Sequence, residues 1–599
     1  MSEVKERKEM DPRFEWDLTP LYESDEAWEK DVASAEPLIA ACTSWRGKLN
    51  TAAGVKGFLE ARNELTLKME NLYEYASLRH TEDTRETQGQ RMSDRIMGVY
   101  TRAMSAISFA RPEFLSLEED QIRGIISDPL LKDYVFLLED LLRTKAHTLD
   151  EGREALLADL SEALSTPDRV SSALMNADMI YEPAEDSNGG KHDLTDSTFI
   201  LLQTSRDRTL RRNAFTNYYR SYRQHNNTLA AAFAGNVRTA CVEAAVRNYA
   251  SSREASMSSD NIPVSVYDNL IETIHRHMDV MHRYAALRKK ILKLDELHYY
   301  DLYTPLAEGI ERRYSYEEAQ ELVLRAVAPL GENYGKIVRS AFADRWIDVY
   351  PNKGKSGGAF SAGTYTSYPY IMTNFTGTLD SVSTIAHEMG HSLHTWHTNH
   401  TQPVQYAGYS LFVAEVASTV NENLLIEQLL KDEKEPLARL ALLNQYLEGF
   451  KGTVYRQTMF AEFEKEAHAI AERHEALDAE TLNSLYERLV REYFGDVLVM
   501  DDEVKYEWSR IPHFYSPFYV YVYATGYSAA VALSQKILTG GEEAVKRYLE
   551  FLSMGSSRYP IDELKHAGVD LTTPEPIETA LAKFAEVLAE AEAIADSIL

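Results

Sequence analysis

Cysteine is nearly absent from this sequence: Cys42 and Cys241 are the only two, and they lie far apart. That excludes a disulfide framework and a cysteine-based zinc site, and it fits a reducing compartment. Glycine (28) and proline (19) are sparse, which favours long uninterrupted helices over many turns. No apolar run approaches the roughly 18 residues that a membrane span needs. The opening stretch, MSEVKERKEMDPRFEWDLTP, is charged and has no apolar core of a signal peptide. No long Lys/Arg run occurs, and 93 acidic against 63 basic residues leave a net charge of −30, so a nucleic-acid partner is not expected. The acidity reads chiefly as solubility. Together these absences lead to the expectation of a cytoplasmic protein with neither a nucleic-acid nor a membrane partner.

What is present is helical pattern. The C-terminal stretch TPEPIETALAKFAEVLAEAEAIADSIL places Ile577, Leu581, Phe584, Leu588 and Ile594 near helical spacing, with Pro574 and Pro576 at its start. Thr148-x-x-Glu151 has the form of a capping box before an apolar run. Two stretches break the pattern. Residues 179–194 hold Asn188-Gly189-Gly190 between extended pieces and predict a small β-hairpin. Residues 353–381 predict a glycine loop, with Gly357 and Gly358, followed by a short edge strand PYIMTNF that could take up a peptide by β-augmentation. The expected fold is mainly α. It has an N-terminal helical domain over 1–200 and a catalytic helical domain over 201–599, with a small hairpin or short sheet near the active site.

The chemistry concentrates in STIAHEMGHSLHTWH, residues 383–397. On a helix, His387 and His391 share one face a turn apart, and Glu388 between them can reach a water on a metal that both hold. Chance produces H-E-x-x-H in about 4 chains in 100 of this composition, so the pentapeptide needs a further ligand to carry weight. Asp380 or Ser381 can cap the helix, and Val382, Ile385, Met389 and Leu393 give it an apolar face. His394 lies about 10.5 Å along the helix from His387, too far to share one ion, and reads as a group near the ligands or facing the substrate. A metzincin pattern would take its third histidine at His397, but its glycine position holds His394, and on this stretch alone that alternative stays open.

The next helical pattern, from Ser410, embeds Glu415 among Val413, Ala414, Val416 and Ala417. A carboxylate in such a setting is costly unless paired or metal-bound. Two histidines and a glutamate with an open fourth position are the donor set of a catalytic zinc. Glu422 could bond a ligating imidazole. The zinc would activate a water and polarise a peptide carbonyl, with Glu388 moving the proton. Oxyanion and substrate contacts are expected from SRIPHFYSPFYVYVYATGYSAA, which holds His513, Tyr515, Tyr519 and Tyr523.

HEMGHSLH, FVAEVASTVNE and RIPHFYSPFYVYVYATG resemble the zinc oligopeptidase family that includes thimet oligopeptidase and oligoendopeptidase F. The likeness extends to FEWDLTPLYESDEAW near the start and SSRYPIDELKHAGVDLTTPEPIETAL near the end. The resemblance implies Zn2+ on His387, His391 and Glu415, Glu388 as general base, and substrate contacts from His513 and some of Tyr515, Tyr519 and Tyr523. It also implies a multi-helix clamshell whose deep channel admits short unfolded peptides. One alternative is a zinc carboxypeptidase of similar build, for which Arg510 offers a basic residue to hold the terminal carboxylate. Another is a non-catalytic peptide-binding scaffold, against which Glu388 argues, since binding alone needs no base.

Overall fold

The computed structural model describes residues 4–307 and 312–598. Helix dominates. The helices that carry the argument are α1 (Ala52–Glu82), α2 (Asn226–Val246), α3 (Leu379–Thr401), α4 (Leu411–Asp432), α5 (Arg456–Glu472), α6 (Tyr521–Thr539) and α7 (Glu575–Ile598). Strands are confined to pieces of two or three residues: β1 (Ala184–Glu185), β2 (Lys191–His192), β3 (Leu297–His298), β4 (Ile347–Asp348), β5 (Phe360–Ala362), β6 (Tyr370–Met372) and β7 (Leu498–Val499). The mainly α expectation holds, and its cause is the scarcity of Gly and Pro noted above.

The chain forms two compact units, each assembled from three segments. The first takes 1–151, 311–428 and 533–568; the second takes 152–310, 429–532 and 569–599. The boundary expected near residue 200 falls inside a helix of the second unit, Asp196–Gln203.

In the first unit, α1 buries Leu65, Leu72 and Leu78 against Trp28, whose indole N–H donates to the Leu72 carbonyl at 2.8 Å. A three-stranded sheet of order β4-β6-β5 lies beside α3. β6 is its central, fully buried strand, parallel to β4 and antiparallel to β5. The expected edge strand PYIMTNF is therefore in the middle of the sheet, where both its edges are used. The edge next to α3 belongs to β5, joined to that helix by Ser361 Oγ and Ser392 Oγ at 2.8 Å.

In the second unit, β1 and β2 pair antiparallel with Ala184 opposite His192, and Gly189 turns the chain at φ 83°. This is the hairpin expected from Asn188-Gly189-Gly190. α7 starts between Pro574 and Pro576 and buries Ile577, Leu581, Phe584 and Leu588. Thr148 caps no turn that can be described with its partner, because the Glu151 side chain lies outside the described residues. α2 is long and apolar enough to cross a membrane by length and composition, with mean hydropathy 1.2. The sequence expectation missed it because Arg238 and Glu243 interrupt its apolar run. Leu229, Phe233 and Val237 on this helix are buried within the unit.

Candidate metal centre

α3 begins at Thr378, whose Oγ1 accepts from the Ser381 N–H at 3.2 Å. The cap falls ahead of the expected Asp380 or Ser381 because Gly377, at φ 77°, turns the chain and leaves Thr378 extended. Val382, Ile385, Met389 and Leu393 are all buried, as their spacing requires. α4 follows after a short connection, with Ser410 Oγ accepting from the Phe412 N–H at 3.1 Å.

The two helices meet at Gly390. A Cβ there would lie 2.5 Å from Ser418 Cα and 2.6 Å from the Ala417 carbonyl oxygen, so only glycine permits this crossing. Asn421 locks the contact by donating to the Ala386 carbonyl at 3.1 Å and accepting from the Tyr334 hydroxyl at 3.2 Å. Sequence reasoning noticed the small residues on α4 but not Gly390 or Asn421. The signal for Gly390 was present as a glycine inside the H-E-x-x-H motif itself.

This crossing brings together His387, His391 and Glu415. Glu415 Oε2 is 3.3 Å from His387 Nε2 and 3.4 Å from His391 Nε2. Donor atoms on a tetrahedral ion with bonds of about 2.0–2.1 Å lie about 3.3–3.4 Å apart, so both carboxylate–imidazole distances fit zinc, as does the chemistry of the donor set. Glu422 Oε1 lies 3.3 Å from His387 Nδ1, on the far side of the ring, where it fixes the imidazole's orientation. Ser418 donates to Glu415 Oε2 at 3.0 Å. Glu415 itself is 41% exposed at its side chain: Val413, Val416 and Ala417 around it are buried, but its carboxylate emerges on the metal-facing side.

Charge follows this geometry. Burial would lower the His387 pKa, but the Glu415 and Glu422 carboxylates outweigh it and push it up to about 10. Burial would raise Glu415, but hydrogen bonds from both imidazoles hold it well below the usual carboxylate range. Glu388 is buried, and burial raises its pKa against the pull of His387 and His391. Its carboxylate makes no hydrogen bond or ion pair among the described residues.

Residues 201–583 match the family described as Peptidase family M3, and residues 113–181 match one described as Oligopeptidase F. An oligopeptidase PepF of Bacillus subtilis is 45% identical over 593 residues, covering 99% of this chain and 88% of that protein. A crystal structure from Chlamydophila abortus aligns with a TM-score of 0.94 at 34% identity, covering 99% of this chain and 100% of that one. A crystal structure of oligoendopeptidase-F from Enterococcus faecium aligns with a TM-score of 0.74 at 35% identity, covering 96% and 99%.

The chain belongs to peptidase family M3. It is a metallopeptidase that hydrolyses peptides.

The other residues expected at the site of this M3 peptidase are placed unequally. His394 is fully buried, its ring stacked on Tyr409 at 3.8 Å, and neither ring nitrogen has a partner. Burial lowers its pKa to about 3, so the imidazole is neutral. An enclosed ring cannot face substrate, and the substrate-facing expectation for His394 does not fit this position. His397 is half-buried and its ring stacks on Tyr334. Gly357 and Gly358 are exposed in the loop before β5, with open space around both and φ 79° at Gly358.

In the second unit, His513, Tyr519 and Tyr523 gather their rings. Tyr519 lies parallel to His513 at 6.2 Å, and Tyr523 stands edge-on to Tyr519 at 5.3 Å. Tyr523 hydroxyl and His513 Nε2 are 3.4 Å apart. Tyr515 turns away, edge-on to Phe233 at 6.3 Å, and burial raises its phenol to about 12. The remaining register of the tyrosine run is structural: Tyr521 packs on Tyr267 and Tyr527 on Phe450. The segment is held by the Glu464 carboxylate, which accepts from the Phe518 N–H at 2.6 Å, and by Ser256, which donates to the Pro517 carbonyl at 2.8 Å. Phe518 takes φ 56°, a left-handed turn that lets Tyr519 and Tyr523 meet although Tyr519 precedes α6.

Proposed function

We propose that this M3 peptidase is a cytoplasmic, zinc-dependent endopeptidase that cuts internal bonds of short unfolded peptides. The observation that carries this reading is the His387, His391 and Glu415 donor set with a buried, unpaired Glu388 carboxylate on the same helix as the histidines. Zinc held by the three donors would lower the pKa of a water and polarise the scissile carbonyl.

The rest falls to the chain's own groups. Glu388 accepts the proton of the attacking water at its carboxylate and returns it to the leaving nitrogen. Its raised pKa suits both directions of transfer. Glu422 keeps His387 Nδ1 engaged and its Nε2 directed at Glu415. Extended substrate backbone aligns along β5. Ile371 and Thr373 of the β6 segment donate to the β4 side, so Tyr370 and Met372 face β5. By antiparallel alternation, Phe360 and Ala362 then bond to β6, and the Ser361 N–H and C=O point to the open edge. Gly357 and Gly358 lie in the loop ahead of this strand, where the backbone can close on a peptide. In the same reading His513, Tyr519 and Tyr523 donate hydrogen bonds to substrate.

Glu388→Gln is expected to keep zinc at one equivalent and lose about 10²–10⁴-fold in kcat on an internally quenched peptide. Cleavage at the parental rate with zinc bound would show that the base lies elsewhere. Peptides blocked at both ends separate the modes of action. An endopeptidase cuts them internally, and a carboxypeptidase leaves them intact.

A further inference from the structure

Charge is unevenly balanced in the segment that leads to His513. Glu507 is fully buried, and its Oε2 accepts from the Tyr299 and Tyr486 hydroxyls at 2.5 and 2.7 Å. Its Oε1 accepts from Arg456 Nη2 at 2.5 Å and, at the longer distance of 3.5 Å, from Arg510 Nη2. One carboxylate therefore serves two guanidinium groups.

Neither arginine makes any other hydrogen bond among the described residues. The Nε of each is buried without a partner. Such groups carry a large unmet donor capacity, because a guanidinium has five N–H bonds. Each keeps a small exposed part, with side chains 19% and 16% exposed. Arg510 is fixed in plane by the Phe199 and Tyr218 rings, at 5.5 and 5.8 Å. It leads through Ile511 and Pro512 to His513. Arg456 reaches the same place: after burial, its charge is what holds the His513 pKa below the ordinary range. In a chain of net charge −30, this surplus of positive charge is a local arrangement and not a product of composition.

We propose that Arg456 and Arg510 form a carboxylate clamp beside His513 that holds an anionic group of the peptide substrate, either its C-terminal carboxylate or an acidic side chain close to it. The planar forks of the two guanidinium groups match a carboxylate in geometry and charge, and bonds to an ionised acceptor are the stronger kind. The clamp rests on the reading of His513 as a substrate contact. It selects among peptides and leaves the position of the cut to the rest of the site.

The test uses zinc-loaded Glu388→Gln protein and calorimetric titration with one peptide made as free acid and as C-terminal amide. A second amidated pair carries Asp or Asn at the last position. The expected result is binding at least tenfold tighter for one acidic member, with the ratio falling toward one in Arg510→Gln. The acid/amide pair responds if the terminal carboxylate is held, and the Asp/Asn pair if a side chain is. Ratios near one in both pairs overturn the proposal, as does a ratio that survives both Arg510→Gln and Arg456→Gln. Should Arg456→Gln fail to fold, Arg510→Gln and the ratio in protein with both arginines intact still decide the question. The two readings fail separately: cleavage retained by Glu388→Gln removes the base, whereas flat ratios in both peptide pairs remove only the clamp.

Discussion

Glu388, Glu415 and Glu422 are three copies of one side chain, and their surroundings give them three electrostatic settings. Glu388 is buried without a partner and its pKa rises; Glu415 accepts from two imidazoles and its pKa falls; Glu422 sits behind His387. Removing the outermost should loosen the metal without abolishing it. Glu422→Ala is expected to keep one zinc per chain with affinity lower by roughly 10–100-fold, read by competition with a chromogenic chelator. Glu507 supplies a prediction about acid. Burial would raise its pKa, but Arg456, Arg510 and two phenols bring it from 4.5 down to about 2. A carboxylate depressed in the folded state adds stability that is present above its unfolded pKa and lost as pH falls through the folded one. Thermal midpoints should therefore drop between about pH 4.5 and 2, and Glu507→Gln should flatten that stretch of the profile.

Elements meet at defined points, and α3 crosses α4 at Gly390. Gly390→Ala forces a Cβ into the Ser418 backbone, with an expected loss of about 1–3 kcal/mol in chemical denaturation. Zinc affinity should fall with it, because the same crossing sets Glu415 against the histidines. If Gly390→Ala unfolds at the parental denaturant midpoint, the helices are not in the contact described. This is also the scale at which sequence reading was strongest and then ran out. The 3.6-residue period placed α3 and α4, and a lone acid in an apolar stretch pointed to Glu415. The same period could not tell which tyrosines of YVYVY face inward, because Phe518 at φ 56° resets the register just before Tyr519. Nor could local pattern order the sheet: a segment as short as PYIMTNF reads alike at an edge or in the centre, and only the pairing of β4 and β5 on either side decides it.

Over the whole molecule, each compact unit is built from three stretches of chain. A fragment of residues 201–599 would lack 1–151, and with it α1 and the Trp28 core of the first unit that also carries α3. Such a fragment is expected to expose apolar surface, seen as dye binding and a broad thermal transition, while the full chain melts cooperatively. A cooperative melt from the fragment would show that the catalytic helices need no N-terminal support. The sequence by itself determined the helical class, the family, and a histidine pair at metal-ligating spacing with a glutamate between them, because these rest on spacing and residue type along short stretches. The tertiary structure decided what depends on contacts between stretches far apart in the chain: the glycine-only crossing that completes the donor set, the burial that withdraws His394, the central place of β6 in its sheet, and two arginines facing one carboxylate. Close approach, exclusion of water and charge balance are properties of neighbours in space, and the order of residues does not contain them.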